Sequence, residues 1–207
     1  MQEPDAPITD GRTLRALRTR DAIVDATIAL VEEGDLRPTA PRVAERAGVS
    51  VRSIFQHFTD LESLHAAVAE RLAERLMALV VPILPEGPFE ERLQRFVHQR
   101  GMLLEVLTPL RRAADVHGPF SEEITARMRD GQDFLRREIQ VTFAPELHAS
   151  GEDHDEVLDA LDVVLGWGTW YELRARAGRD QDDAEVVVRR MVRAVLAAAD
   201  RDAAPAG

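Results

Sequence analysis

The sequence predicts an all-α protein. Apolar residues recur at helical spacing along nearly the whole chain, no stretch sustains a period of two with β-branched residues, and capping residues stand where the periodic runs begin. About nine helices are expected, divided between an N-terminal three-helix helix-turn-helix domain and a C-terminal helical body.

The first helix is marked by Ile23, Ala26, Thr27, Leu30 and Val31 following Asp21, with Gly34 as its stop. Thr39 caps a second, short helix with Pro41 in its first turn, where a missing N–H costs little. It buries Val43, Ala44 and Ala47 and stops at Gly48, after which Ser50 caps a third helix reaching about His57. "TDLE" (Thr59 to Glu62) reads as a capping box opening a long fourth helix with Leu61, Leu64, Val68, Leu72, Leu76, Leu79 and Ile83 as its apolar positions. A fifth is expected from Phe89 to Leu107. Thr108–Pro109 resembles an N-cap and N1 pair starting a short sixth that Gly118–Pro119 halts. A seventh spans about Ser121 to Phe143, and "APELHASGEDHDE" reads as loop. Two long helices close the chain: Asp155 to Ala177, and a last one capped by Asp180. The tail from 201 to 207 is expected to be disordered.

Composition excludes several chemistries. There is no Cys, and all 26 basic residues are Arg. Thiol nucleophiles, disulfides, P-loop lysines and Schiff-base lysines are therefore absent. G-x-S-x-G, H-E-x-x-H and G-x-G-x-x-G do not occur. His148, Asp153, His154 and Asp155 cluster in sequence, but at no metal-ligand spacing, and read as a solvated acidic loop. No enzyme, cofactor or metal site is expected. The longest apolar run, Leu76 to Leu84, contains Pro82 and is far shorter than the roughly 18 residues of a membrane span. "MQEPDAP" at the N-terminus lacks the apolar stretch of a secretory signal. A cytoplasmic protein is the expectation.

The net charge of −11 is unevenly spread. Residues 12–58 hold eight Arg against six acids, whereas 59–207 hold 18 Arg against 28 acids. Gly11 to Arg20 has four Arg and no acid, and residues 1–17 are expected to form a flexible basic arm. Because screening confines attraction to about 8–10 Å, the local balance decides whether phosphate is attracted.

"VAERAGVSVRSIFQHF" (Val43 to Phe58) has the parts a helix-turn-helix requires. Ala44 permits close helix packing, Gly48 tolerates positive φ, and Val49 plugs the turn. Ile54 and Phe58 point one face of the second helix inward, leaving Arg52, Ser53, Gln56 and His57 on the polar face. Arg suits guanine and Gln suits adenine in the major groove.

Thr39 through Leu64, "TAPRVAERAGVSVRSIFQHFTDLESL", resembles the DNA-binding segment of the TetR family of transcriptional regulators. The matching positions are Thr39, Val43, Ala44, Ala47, Gly48, Val49, Ser50, Ile54, Phe55, His57, Phe58 and Leu64. The resemblance implies a DNA-binding domain at 18–64 that meets duplex DNA through Thr39, Arg42, Ser50, Val51, Arg52, Ser53, Phe55, Gln56 and His57. It further implies a ligand-binding and dimerisation domain at 65–200. Two departures weaken backbone anchoring: Leu61 stands where the family usually has Lys, and Phe55 where Tyr is commonest.

In the body, Phe96, His98, Met102, Val106, His117, Phe134, Trp167 and Trp170 are the candidate ligand-binding residues. Leu161, Val164, Leu165, Gly168, Val188, Met191, Val192 and Val195 are the candidate dimer interface, as two apolar helices that would pair with their symmetry mates. Gly166 and Gly168 fall inside a helical pattern, which implies either close backbone approach or a bend. The function expected is a homodimeric repressor on a palindromic operator, released by a small, largely apolar effector. The alternative is a helical sensor or interaction module with weakened DNA binding.

Overall fold

The computed structural model describes residues 11–117 and 122–202, and the regular elements among them are all helical. In order they are α1 (Gly11–Glu32), α2 (Ala40–Ala47), α3 (Val51–His57), α4 (Leu61–Met77) and α5 (Phe89–His117). They continue as α6 (Glu122–Thr142), α7 (Ala144–Ala149), α8 (His154–Val164), α9 (Trp167–Tyr171) and α10 (Gln181–Asp202). The chain divides into two compact units. Among the described residues one comprises 11–74 together with 109–117 and 122–125, and the other comprises 75–108 and 126–202. Leu64, Ala67 and Val68 of α4 belong to the core of the first unit.

That core is built from Ile23, Val24, Ile28 and Leu30 of α1, Val43 and Ala44 of α2, Ile54, Phe58 and the buried face of α4. Arg71 of α4 ties down α1 by reaching Asp21 at 2.5 Å and Asp25 at 3.0 Å. The described part of the expected arm, residues 11–17, is helical rather than flexible, and α1 begins ten residues before Asp21. No Gly or Pro interrupts "RTLRALRTR", so the helix nucleated on Ile23 and Val24 propagates backwards. Residues 1–10 lie outside the described residues.

The second unit is built around Leu93, Phe96, Val97, Ile139, Phe143, Leu158, Leu161, Val188 and Val192, among others. Buried Arg92 pins the end of α6 by donating to the Thr142 carbonyl at 2.6 Å, and Thr142 Oγ1 donates to the Ile83 carbonyl at 2.8 Å.

Several expected boundaries differ. The N-cap of α4 is Asp60 rather than Thr59. Its Oδ1 accepts from Ser63 N at 2.7 Å while Ser63 Oγ accepts from Asp60 N at 3.3 Å, a capping box one residue further on. These bonds hold the Asp60 carboxyl below the usual range. The helix also ends at Met77, before Ile83.

Thr108–Pro109 starts no new helix; α5 runs through it. Proline inside a helix costs about 3 kcal/mol or more. Burial of Leu104 before it and packing of Leu110 after it hold the helix together, while Thr108 Oγ1 bonds the Leu104 carbonyl at 2.6 Å. The stop expected at Gly118–Pro119 lies outside the described residues.

"APELHASGED" is not loop but α7 followed by a short 3-10 turn, since Leu147 is buried in the core and carries the backbone with it. Finally, the helix expected over 155–177 breaks. Gly166 is extended (φ −81, ψ 164), α9 is five residues long, and Glu172–Arg176 forms a π-helical turn. A Cβ on Gly166 would stand 2.7 Å from the Asp162 carbonyl oxygen, so the bend requires the glycine. Gly168 has open space beside it. The end of the tail, 203–207, lies outside the described residues, and Arg201–Asp202 still belong to α10.

Candidate nucleic-acid interface

Local chemistry sets the geometry of the α2–turn–α3 unit. Gly48 closes α2 in the left-handed conformation (φ 67, ψ 32), with its N–H directed at the Ala44 and Glu45 carbonyls. Val49 N then bonds the Ala44 carbonyl at 3.0 Å. Ser50 is extended, and its Oγ accepts from Ser53 N at 3.1 Å, so the first turn of α3 is capped by a side chain. Ile54 and Phe58 are buried, and the Arg20 guanidinium lies 5.1 Å from the Phe58 ring centroid.

With one face anchored, 3.6-residue periodicity presents the other. Val51, Arg52, Phe55 and Gln56 are exposed together, at positions i, i+1, i+4 and i+5. Ser53 and His57 are half-buried at the edges of this face. Phe55 is 51% exposed, a large apolar ring offered to solvent beside Arg52 and Gln56. Thr39 has the extended N-cap conformation without a side-chain capping bond, and it is exposed.

The electrostatics contain a feature invisible in the charge count. Arg42 pairs with Asp35 at 2.5 Å, and Arg46 makes a forked pair with Glu33. The hydrogen bond from Arg46 holds the Glu33 carboxyl below its usual range. Two of the Arg residues of the basic segment are therefore engaged by acids of the α1–α2 corner. Arg15 and Arg18 of α1 are exposed, and Leu61, at the start of α4, is 43% exposed.

The body candidates are not gathered into one place. Phe96 is buried against Phe143, with ring centroids 5.1 Å apart, and Phe134 is half-buried. His98 is on the surface of α5, its Nδ1 3.0 Å from Glu185 Oε1. Met102 and Val106 are exposed on the same helix. His117 ends α5, and its side chain lies outside the described residues. Trp167 donates from Nε1 to Thr108 Oγ1 at 3.1 Å and stacks on Tyr171. Trp170 is buried and donates to Glu105 Oε1 at 2.9 Å.

A cavity of about 10 Å³, room for one water, is lined by Val97, Arg100, Gly101, Leu104, Val164, Leu165, Gly166, Trp170 and Val188. Of the ligand candidates only Trp170 lines it. Arg100, which periodicity alone could not distinguish from a surface Arg, also does.

The eight dimer candidates divide in two. Leu161, Leu165, Val188 and Val192 are buried in the chain's own core, whereas Val164, Gly168, Met191 and Val195 keep exposed surface. Val163, at 70% exposure, joins the second group. Among the described residues no cluster of three His, Asp or Glu could hold a metal ion, and no helix is long and apolar enough to cross a membrane. His154 Nδ1 is instead 3.1 Å from the Leu147 carbonyl oxygen.

Residues 23–68 match the family model of bacterial regulatory proteins, tetR family. Solved structures share the fold across most of both chains. A proposed TetR-family transcriptional regulator from Mesorhizobium loti is 20% identical with a TM-score of 0.66, covering 89% of this chain and 98% of its own. A transcriptional regulator from Rhodococcus sp. Rha1 has a TM-score of 0.66 at 18% identity, covering 89% and 97%. A TetR transcription regulator from Haloarcula marismortui has a TM-score of 0.63 at 19% identity, covering 87% and 97%. No curated protein matches the chain.

Proposed function

We propose that this chain, whose residues 23–68 match the family model of bacterial regulatory proteins, tetR family, is a homodimeric repressor of a palindromic operator. The observation that carries the reading is the face of α3, where Arg52, Gln56, Val51 and Phe55 are exposed together while Ile54 and Phe58 fix the helix from behind. Arg52 and Gln56 read base edges in the major groove, and the two apolar side chains suit thymine methyl groups. Ser53 stands beside Arg52 and Gln56 as a third base contact, Arg42 is held by Asp35, and Thr39, Ser50 and His57 surround this face as phosphate contacts. They set register rather than sequence.

Dimerisation uses the exposed strip of α8 and α10 that includes Val163, Val164, Met191 and Val195, with Gly168 at its end. An effector with a largely apolar body binds within 65–200 and lowers operator affinity. By linkage the operator lowers effector affinity by the same factor. The protein works in the cytoplasm and performs no catalysis.

Selection of bound duplexes from a random pool tests this. The expected product is an inverted repeat whose half-sites lie one helical turn, about 34–36 Å, apart. Its affinity falls as salt rises. Failure of the purified dimer to bind any duplex in a salt-dependent way overturns the reading. That outcome favours a sensor or interaction module instead, a reading supported by the exposed Leu61 and by the acid-paired Arg42 and Arg46.

A further inference from the structure

The body buries a cation that its own fold underuses. Arg100 of α5 is 3% exposed, and burial pulls its pKa down to about 10, leaving it charged at neutral pH. The guanidinium lies over the Phe96 ring at 4.8 Å and donates from Nη2 to the Leu135 carbonyl at 2.9 Å. That bond uses one of five donors. The carboxylate of Glu138 stands 3.9 Å from Nη2, beyond hydrogen-bond reach, and its buried Oε2 has no hydrogen-bond partner. Asp162, whose charge also reaches Arg100, is engaged by Arg136 at 3.5 Å. Buried charge is ordinarily satisfied far better than this.

Arg100 also lines the small cavity, whose other walls are apolar apart from backbone. Facing it is the Trp170 ring, lying so close to Gly101 that a Cβ there would come within 2.7 Å of Cη2. An aromatic ring thus already occupies the space that the glycine leaves. Its one described polar tie is the bond to Glu105, a carboxylate it shares with Arg174 Nε at 2.6 Å. The five-residue helix carrying the ring lies between extended Gly166 and the π-helical turn. Both junctions interrupt the α-helical hydrogen-bond ladder, and π-turns of this kind are frequent at functional sites.

We propose that this is the effector site and that its ligand is a small aromatic carboxylic acid. The ligand ring takes the place of the Trp170 indole against Gly101 and Leu104, and α9 swings outward. The ligand carboxylate takes the unused donors of Arg100 in a forked, charge-assisted pair. The closed cavity is too small for any organic ligand, so Trp170 is the gate as well as the reporter. The proposal rests on the effector half of the reading above.

The test titrates the full chain, without DNA, with benzoate, phenylacetate and salicylate, and with the neutral amides benzamide and phenylacetamide. Tryptophan fluorescence and thermal melting are the readouts. Trp167 and Trp170 are the only tryptophans. At least one acid gives a saturable fluorescence change and a raised Tm, and its amide binds about 30-fold more weakly or worse.

The paired variant Arg100→Met with Glu138→Gln removes both charges together and loses the response to the acid. Arg100→Lys, which keeps the cation, weakens the acid but retains its preference over the amide. Equal binding of acid and amide, an undiminished response in the paired variant, or no saturable response to any acid overturns the site. Duplex binding is measured on the same preparation. If duplexes bind and no acid does, this site falls and the regulator stands; if acids bind and no duplex does, the reverse holds.

Discussion

Asp35→Asn is the most informative single change in the helix-turn-helix head. Arg42 is more than half exposed, yet its Nη1 is held 2.5 Å from the Asp35 carboxylate, which is only 17% exposed. A phosphate approaching Arg42 must compete with that carboxylate. Asn keeps the acceptor that receives the Arg37 backbone N–H at 3.2 Å, so the corner between α1 and α2 retains its bond and loses only charge.

Freed, Arg42 neutralises one further phosphate. The slope of log Kobs against log salt then steepens by about 0.9. Between about 50 and 200 mM salt this adds roughly a 3.5-fold loss of affinity beyond that of the unmodified protein, while binding at the low-salt end tightens. Fluorescence anisotropy of a labelled duplex across a salt series measures both. Arg42→Ala in the Asp35→Asn background returns the slope to its starting value. A Asp35→Asn salt series that superimposes on the unmodified one refutes the idea that this ion pair competes with DNA.

Arg52→Ala and Gln56→Ala each weaken binding to the selected duplex by about 1–3 kcal/mol and relax the base preference at one position, read by titrating single-base operator variants. Gly48→Ala destabilises the head by about 1–2 kcal/mol in chemical denaturation, because an added Cβ meets nothing within 4 Å and the left-handed backbone alone supplies the cost. Gly48→Asn recovers much of the loss, since Asn tolerates that conformation. Val163→Glu and Met191→Glu yield folded monomers in light scattering, with Tm lowered only as far as the lost dimer contacts stabilised each chain, whereas Val188→Glu, placing a charge in the core, unfolds the body. A dimeric Val163→Glu/Met191→Glu double variant counts against the proposed interface.

What the sequence determined by itself is what short-range physics encodes. The Gly48 turn, the Ser50 cap, the inward Ile54 and Phe58 and the outward Arg52 and Gln56 all follow from interactions within a few residues, and periodicity orders them without help from the rest of the chain. The Asp180 cap of α10, seen in the 2.8 Å bond from Asp183 N, was legible for the same reason. Tertiary structure decided the rest.

Whether Pro109 ended a helix depended on what Leu104 and Leu110 pack against, and whether "APELHA" was loop depended on the burial of Leu147. Apolar spacing marked Leu161, Val164, Leu165, Val188 and Val192 alike as one stripe. Only the fold separates those that fill the chain's own core from the one, Val164, that keeps exposed surface. Arg100 is the sharpest case. In sequence it is one of 26 Arg, and its meaning comes from Phe96, Leu135 and Glu138 closing around it. Burial and charge pairing are set by residues distant along the chain, and local propensity carries no record of them.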